Sequence, residues 1–238
     1  MFLVDTATKE EILAAHANPA ACGFTTNPKL IALAAGKDII SASDYQVLCE
    51  ELCRLAGADR RMRHVMIQTI GAKAQTRDLA AACQEQLANG GPDTASTTLW
   101  IKLPPALEDL RRINELRRQG CKTLVTAVFT SSQALMAMES GADGVAVYFG
   151  RLMKHCDDWE RQLTTIVEIV REKKALLLLA SLSEPALVAQ ALAFSRDITV
   201  PPALVAKLMD SPLSQTAMDD FARRVQQDRP ELCLTASS

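Results

Sequence analysis

The sequence predicts an α/β fold in which eight parallel strands close into a single (β/α)8 TIM barrel, with one extra helix near the C-terminus. Three observations carry this. Eight apolar runs of strand length recur along the 238 residues, with helical patterns between them. No internal repeat, linker or break in composition divides the chain, so residues 1–238 read as one domain, and 48% hydrophobic residues are ample for one extensive core. The alternative, an open doubly wound sheet, lacks its usual signature: neither G-x-G-x-x-G nor G-x-x-x-x-G-K-[ST] follows the first strand.

The elements follow in order. Phe2 to Thr6 is the first strand, and Lys9 to His16 a helix whose start has Thr8 and Glu11 at capping-box spacing. Ala21 to Thr26 is the second strand; Pro28 opens a short helix, and Ser43 to Leu55 is a long one. His64 to Ile70 is the third strand, Arg77 to Leu87 its helix, and Asn89 to Asp93 a loop. Leu99 to Leu103, closed by two prolines, is the fourth strand, and Leu107 to Arg118 an amphipathic helix ended by Gly120. Lys122 to Phe129 is the fifth strand, with a helix from Ser131 to Glu139; Gly144 to Phe149 is the sixth, with a helix from Trp159 to Lys173. Leu176 to Ser181 and Asp197 to Val200 are the last two strands, followed by helices from Pro185 to Phe194 and from Pro202 to Met209. The extra helix covers about Gln215 to Gln227, and residues 228–238 are a polar tail.

Composition narrows the function. A net charge of -2 without a basic block argues against nucleic acid or an anionic membrane as partner, and no apolar stretch approaches membrane-spanning length. The N-terminus lacks the pattern of a signal peptide. Seven scattered cysteines without C-x-x-C spacing point to reduced thiols in a cytoplasm. The three histidines are isolated, so no protein-bound metal is expected.

Lys102 is the residue around which a chemistry can be read. It stands in an apolar strand with no carboxylate within several residues. An ammonium there either reaches water from an edge strand or loses its proton, and a neutral amine in a pocket is what Schiff-base chemistry with a carbonyl requires. The barrel adds a demand, since catalytic groups belong at the C-terminal ends of strands. Asp5, the cluster Thr25-Thr26-Asn27, Gln68, Lys102, Thr126, Tyr148 with Arg151 just beyond, and Ser181 all stand at or near such ends. Each has a plainer reading taken alone: a helix cap for Asp5, turn chemistry for the Thr-Thr-Asn cluster, rim packing for Tyr148, a surface ion pair for Arg151. Together they converge on one mouth.

Gly23 to Pro28 (G-F-T-T-N-P), Ile101-Lys102-Leu103-Pro104, Thr123 to Phe129 with Gln133-Ala134-Leu135, and Gly150-Arg151 after Tyr148 resemble the transaldolase family. The branch they most resemble is the short bacterial one that includes fructose-6-phosphate aldolase, and the likeness runs from Phe2 to about Gln227. It implies that Lys102 forms the Schiff base and that Asp5 handles substrate hydroxyls and protons. It further implies that Thr25 and Asn27 hold the substrate near the imine, that Gln68 and Thr126 place a catalytic water, and that Arg151 and Ser181 receive the anionic end. Gln68 and Tyr148 resemble the aldolase branch; glutamate and phenylalanine would resemble the true transaldolases. Ser183 stands where the family usually offers a lysine or arginine to a phosphate. Lys29 stands where a serine is common, and Leu152 to Cys156 replace a glycine-rich stretch. The expectation is an anion pocket rebuilt around Lys29 and Arg151.

The resemblance implies a class I aldolase cleaving a ketose phosphate, needing neither metal nor organic cofactor. The alternatives are a transaldolase passing a dihydroxyacetone unit to an aldehyde, and a non-catalytic barrel that binds a sugar phosphate. The last helix has an apolar side (Ala217, Phe221, Val225), and the resemblance implies a homo-oligomer, a pentamer or decamer, built through it.

Overall fold

The computed structural model describes residues 1–58, 61–70, 73–89 and 97–228. Gly90 to Asp93 of the expected loop, Cys233 and residues 229–238 of the polar tail lie outside them. The chain forms two compact units, Met1–Pro202 and Ala203–Ser238.

The first unit is a barrel. Strands β1 (Phe2–Asp5), β2 (Gly23–Thr25), β3 (His64–Gln68), β4 (Thr98–Leu103), β5 (Lys122–Val128), β6 (Gly144–Tyr148), β7 (Leu176–Ala180) and β8 (Ile198–Val200) pair in chain order, all parallel. β8 closes the ring on β1, with Phe2 opposite Ile198 and Val4 opposite Val200. Successive side chains of a strand face opposite ways, which sorts the residues into two sets. Val4, Phe24, Val65, Ile67, Leu99, Ile101, Val125, Val145, Leu179 and Val200 form the outward set, and each is almost wholly buried. The inward set packs the barrel in layers, one of them an apolar cluster of Leu3, Met66, Trp100, Leu124, Ala146 and Leu178, joined by Cys22. Two residues further along their strands stand Asp5, Gln68, Lys102, Thr126 and Tyr148. The polar layer thus rests on a dry floor at the C-terminal end of the ring.

Helices cover the outside: α1 (Lys9–Ala17), α2 (Pro28–Ala34), α3 (Ala42–Gly57), α4 (Lys73–Asn89), α5 (Leu107–Leu110), α6 (Ile113–Arg118), α7 (Ser131–Glu139), α8 (Phe149–His155), α9 (Trp159–Glu172) and α10 (Pro185–Ala191). Side-chain caps set several starts: Thr8 accepts from the Glu11 N–H, Asn27 from Leu30 and Ser41 from Asp44. Thr130 and Gln133 close a full capping box on α7. The box expected at Thr8 is only half formed, because the Glu11 carboxylate accepts from the Thr6 hydroxyl while the Thr8 N–H is taken by Thr6 Oγ1.

Three local departures matter. The helix expected over Leu107 to Arg118 is two short ones, since the Arg112 N–H bonds three residues back to Asp109 and tightens the turn. α8, unforeseen, starts at once where β6 ends, with no side-chain cap. β7 stops at Ala180 because Ser181 takes a left-handed backbone, φ 64°.

The second unit holds α11 (Pro202–Lys207) beyond its first residue, and α12 (Pro212–Asp228), which contains the expected extra helix. Leu213, Met218, Phe221 and Val225 are exposed. No described helix is long and apolar enough to cross a membrane.

Candidate active site

The inward polar layer opens into a cavity of about 460 Å³ at the C-terminal end of the barrel. Asp5, Thr25, Gln68, Lys102, Thr126, Tyr148 and Ser181 come to it from seven different strand ends, and Asn27, Lys29 and Arg151 from the segments that follow β2 and β6. Ser183 does not line this cavity; it is exposed, carried away by the left-handed turn at Ser181. Its place in the sequence, two residues past a strand end, gave no account of that turn.

Lys102 is 5% exposed, and its Nζ donates to the Thr26 carbonyl at 2.8 Å. Among the described residues no carboxylate lies within ion-pairing distance of the amine. Burial pushes its pKa below the usual lysine value, and the negative charge of Asp5 opposes that only in part. The nitrogen is therefore biased toward a free amine while one neutral acceptor steadies it. Cβ alternation aims it inward, because Ile101 and Leu103 on either side point to the helices.

Asp5 stands across the mouth. Its Oδ1 accepts from Thr25 Oγ1 at 2.7 Å, and Thr25 Oγ1 lies 2.9 Å from Thr199 Oγ1. Thr199 also lines the cavity, from β8, a residue absent from the set the sequence predicts. Between Ile198 and Val200 a threonine looks like ordinary strand composition; only the inward register of β8 marks it. Asn27 spends its Oδ1 on the N–H of Leu30, 3.1 Å away, as the cap of α2. Its amide NH₂ is what remains for a ligand.

Two polar atoms at the site lack a protein partner. Gln68 Oε1 and Thr126 Oγ1 are buried and bond to nothing among the described residues. Such groups are costly to leave dry, and both residues line the same cavity, as a bound water or substrate hydroxyl requires. The backbone around Thr126 is irregular. The β5–β6 register shifts between Val125 and Val128, and Ala127 has φ 57°, a strained value for a residue with a Cβ.

Tyr148, the last residue of β6, is held on two sides. Its ring and that of Phe129 make a T-shaped pair, 5.9 Å between centroids and 75° between planes, and Arg151 Cζ lies 5.2 Å from its ring centroid. Arg151 sits in the first turn of α8, which packs closely on the end of β7. A Cβ added at Gly150 would come within 2.3 Å of the Ser181 carbonyl oxygen. Lys29, in the first turn of α2, is exposed at the same mouth. The cavity thus offers a buried amine, a carboxylate, a phenol, two unsatisfied polar atoms, and cations at its rim.

Residues 2–236 match the model of the family described as transaldolase/fructose-6-phosphate aldolase. A protein of Desulfosudis oleivorans named probable transaldolase is 29% identical over 224 residues, covering 92% of this chain and 95% of that one. Relatives of the same name are 29% identical in Desulfitobacterium hafniense, over 92% of this chain and 95% of theirs, and in Clostridioides difficile, over 93% and 95%. With its closed eight-stranded barrel and a match spanning nearly its whole length, the chain belongs to the transaldolase/fructose-6-phosphate aldolase family of enzymes.

Proposed function

We propose that this enzyme is a class I aldolase that reversibly cleaves the C3–C4 bond of a ketose phosphate such as fructose 6-phosphate. The observation that carries the reading is Lys102: a 95%-buried amine, depressed in pKa by that burial, lining the cavity at the C-terminal end of the barrel. Lys102 Nζ adds to the C2 carbonyl, and loss of water leaves an iminium. Removal of the C4 hydroxyl proton lets the C3–C4 bond break. The aldehyde departs, and the bonding pair moves through C3 into the iminium as an enamine. A proton returned to C3 and hydrolysis of the imine then free dihydroxyacetone and Lys102.

Tyr148, through a water held by Gln68 Oε1 and Thr126 Oγ1, moves the protons, while Asp5 and the Asn27 amide orient the hydroxyls of the breaking bond. Arg151, Ser181 and Lys29 receive the anionic end. Gln68 in place of a carboxylate supports giving the proton work to the phenol. Neither metal nor organic cofactor has a part in this sequence of steps.

The names of the relatives favour a second reading, transfer of the dihydroxyacetone unit to an aldehyde acceptor instead of its release. Borohydride reduction in the presence of fructose 6-phosphate, followed by peptide mapping, tests the shared chemistry. The adduct is expected on Lys102, and its absence would support a barrel that only binds. Free dihydroxyacetone measured with and without erythrose 4-phosphate separates release from transfer. The exposed Met218 and Phe221 of α12, 62% and 65% accessible, support assembly into a homo-oligomer through that helix, a pentamer or decamer that light scattering would count.

A further inference from the structure

The proton count around Asp5 assigns a task to a residue outside the set above. A carboxylate only accepts hydrogen bonds, so the Thr25 hydroxyl, 2.7 Å from Asp5 Oδ1, spends its single proton there. The contact of 2.9 Å between Thr25 and Thr199 then has one direction left: Thr199 Oγ1–H donates and Thr25 Oγ1 accepts. The three groups form a one-way chain from β8 through β2 to β1, ending on the carboxylate.

Thr25 is wholly buried and Thr199 4% exposed, so bulk water has little access to replace either bond. We propose that Thr199 is a positioning residue for the reaction, fixing the Asp5 carboxylate by way of Thr25. The inference rests on the aldol reading, in which Asp5 orients substrate hydroxyls.

The physical case is cooperative. A hydroxyl that accepts one hydrogen bond becomes a stronger donor in the next, and the gain is largest where the chain ends on a charge in a poorly solvated site. With Oδ1 engaged in this way, the hydrogen bond favours one orientation of the carboxylate and leaves Oδ2 for the ligand. Without the Thr199 proton, Thr25 keeps an unsatisfied buried lone pair and Asp5 loses the polarised donor that holds it in plane. Nothing in β8 as a strand requires this hydroxyl: Ile198 and Val200 face the helices, and the β1 ladder uses backbone groups alone.

The test separates hydroxyl from shape. Thr199→Val keeps the volume and removes the proton; Thr199→Ser keeps the proton and removes a methyl. In steady-state cleavage of fructose 6-phosphate, Thr199→Val is expected to lower kcat about five- to tenfold with KM nearly unchanged, because a loosened carboxylate harms the transition state more than binding. Thr199→Ser is expected to restore most of the loss. Should Thr199→Val fail to fold, Thr199→Ala against Thr199→Ser makes the same comparison.

Crystal structures of the variants supply a reading that needs no turnover: Asp5 turns away from Thr25 or takes two rotamers in the valine variant and keeps one in the serine variant. Equal losses in the serine and valine variants, or an Asp5 unmoved in both with wild-type kcat, would overturn the proposal. Borohydride trapping on the wild-type enzyme is run alongside. Its failure counts against the aldol reading, whereas the order of the Asp5 carboxylate still decides whether Thr199 positions it.

Discussion

Gly150→Ala changes one hydrogen to a methyl and reaches the site through the backbone. The added Cβ would sit 2.3 Å from the Ser181 carbonyl oxygen and 3.5 Å from the Ser181 carbonyl carbon. A carbon and a carbonyl oxygen settle no closer than about 3.3 Å, so α8 and the end of β7 must part by about 1 Å. The obstacle is main chain at a left-handed residue, which cannot rotate aside as a side chain would. Overpacking of this kind costs about 1–3 kcal/mol, and in a domain of this size that lowers Tm by roughly 2–12 °C.

The same displacement moves Arg151, the next residue of α8, relative to Ser181. A shift of about 1 Å in a positioning group can cost up to about 100-fold in kcat/KM. The loss is expected with fructose 6-phosphate and much less with fructose, which has no anion for those two residues to hold. Kinetics on the two ketoses with a thermal melt of the variant make the assay. A lower Tm with equal effects on both ketoses would refute the coupling of this contact to anion binding, and an unchanged Tm would refute the steric argument itself.

Lys102→Met is expected to abolish borohydride trapping and to lower kcat by roughly 10³ or more. The variant should also be the more stable protein at neutral pH. The folded-state pKa of Lys102 lies below its unfolded value, so the unfolded chain binds the proton more tightly and folding carries a burial cost at low pH. That cost disappears as pH rises through the folded value toward about 10.4, so the Tm advantage of the variant should shrink over that window. Arg151→Ala is expected to raise KM for fructose 6-phosphate about 10- to 150-fold, the loss of a charge-assisted pair. Lys29→Ala, at an exposed position, should raise it about fivefold at most, and less as salt is added. Tyr148→Phe keeps the ring between Phe129 and Arg151 and removes only the hydroxyl; kcat is expected to fall about 10²- to 10⁴-fold with Tm little changed.

The strands were legible because a parallel barrel buries both faces, which writes them as short apolar runs, several of them broken by a polar residue near the C-terminal end. That interruption is why Asp5, Lys102 and Thr126 could be picked out from spacing alone. What escaped was written in backbone conformation. α8 begins directly after Tyr148 without a capping side chain or a turn residue, so no letter announces it. Ser181 is left-handed although serine seldom is, and the position of Ser183 depends on that one angle. Thr199 went unread for the opposite reason: threonine is so ordinary in strands that its inward placement carries no mark in the sequence. The roles of the hydrogen-bonding atoms also lay beyond spacing, since which oxygen of Asp5 is already engaged depends on Thr25, a neighbour on another strand.

Asn27 binds its two halves to different masters. One atom of its carboxamide fastens the first turn of a helix, and the other is a donor left over on a residue that lines the cavity. Aspartate there would keep the fastening and forfeit the donor, serine would keep both but on a shorter arm, and glutamine would keep the amide but overshoot the backbone it ties down. Evolution toward new sugars can therefore work around this side chain more readily than through it, because any change made for the ligand is felt at once in how α2 begins.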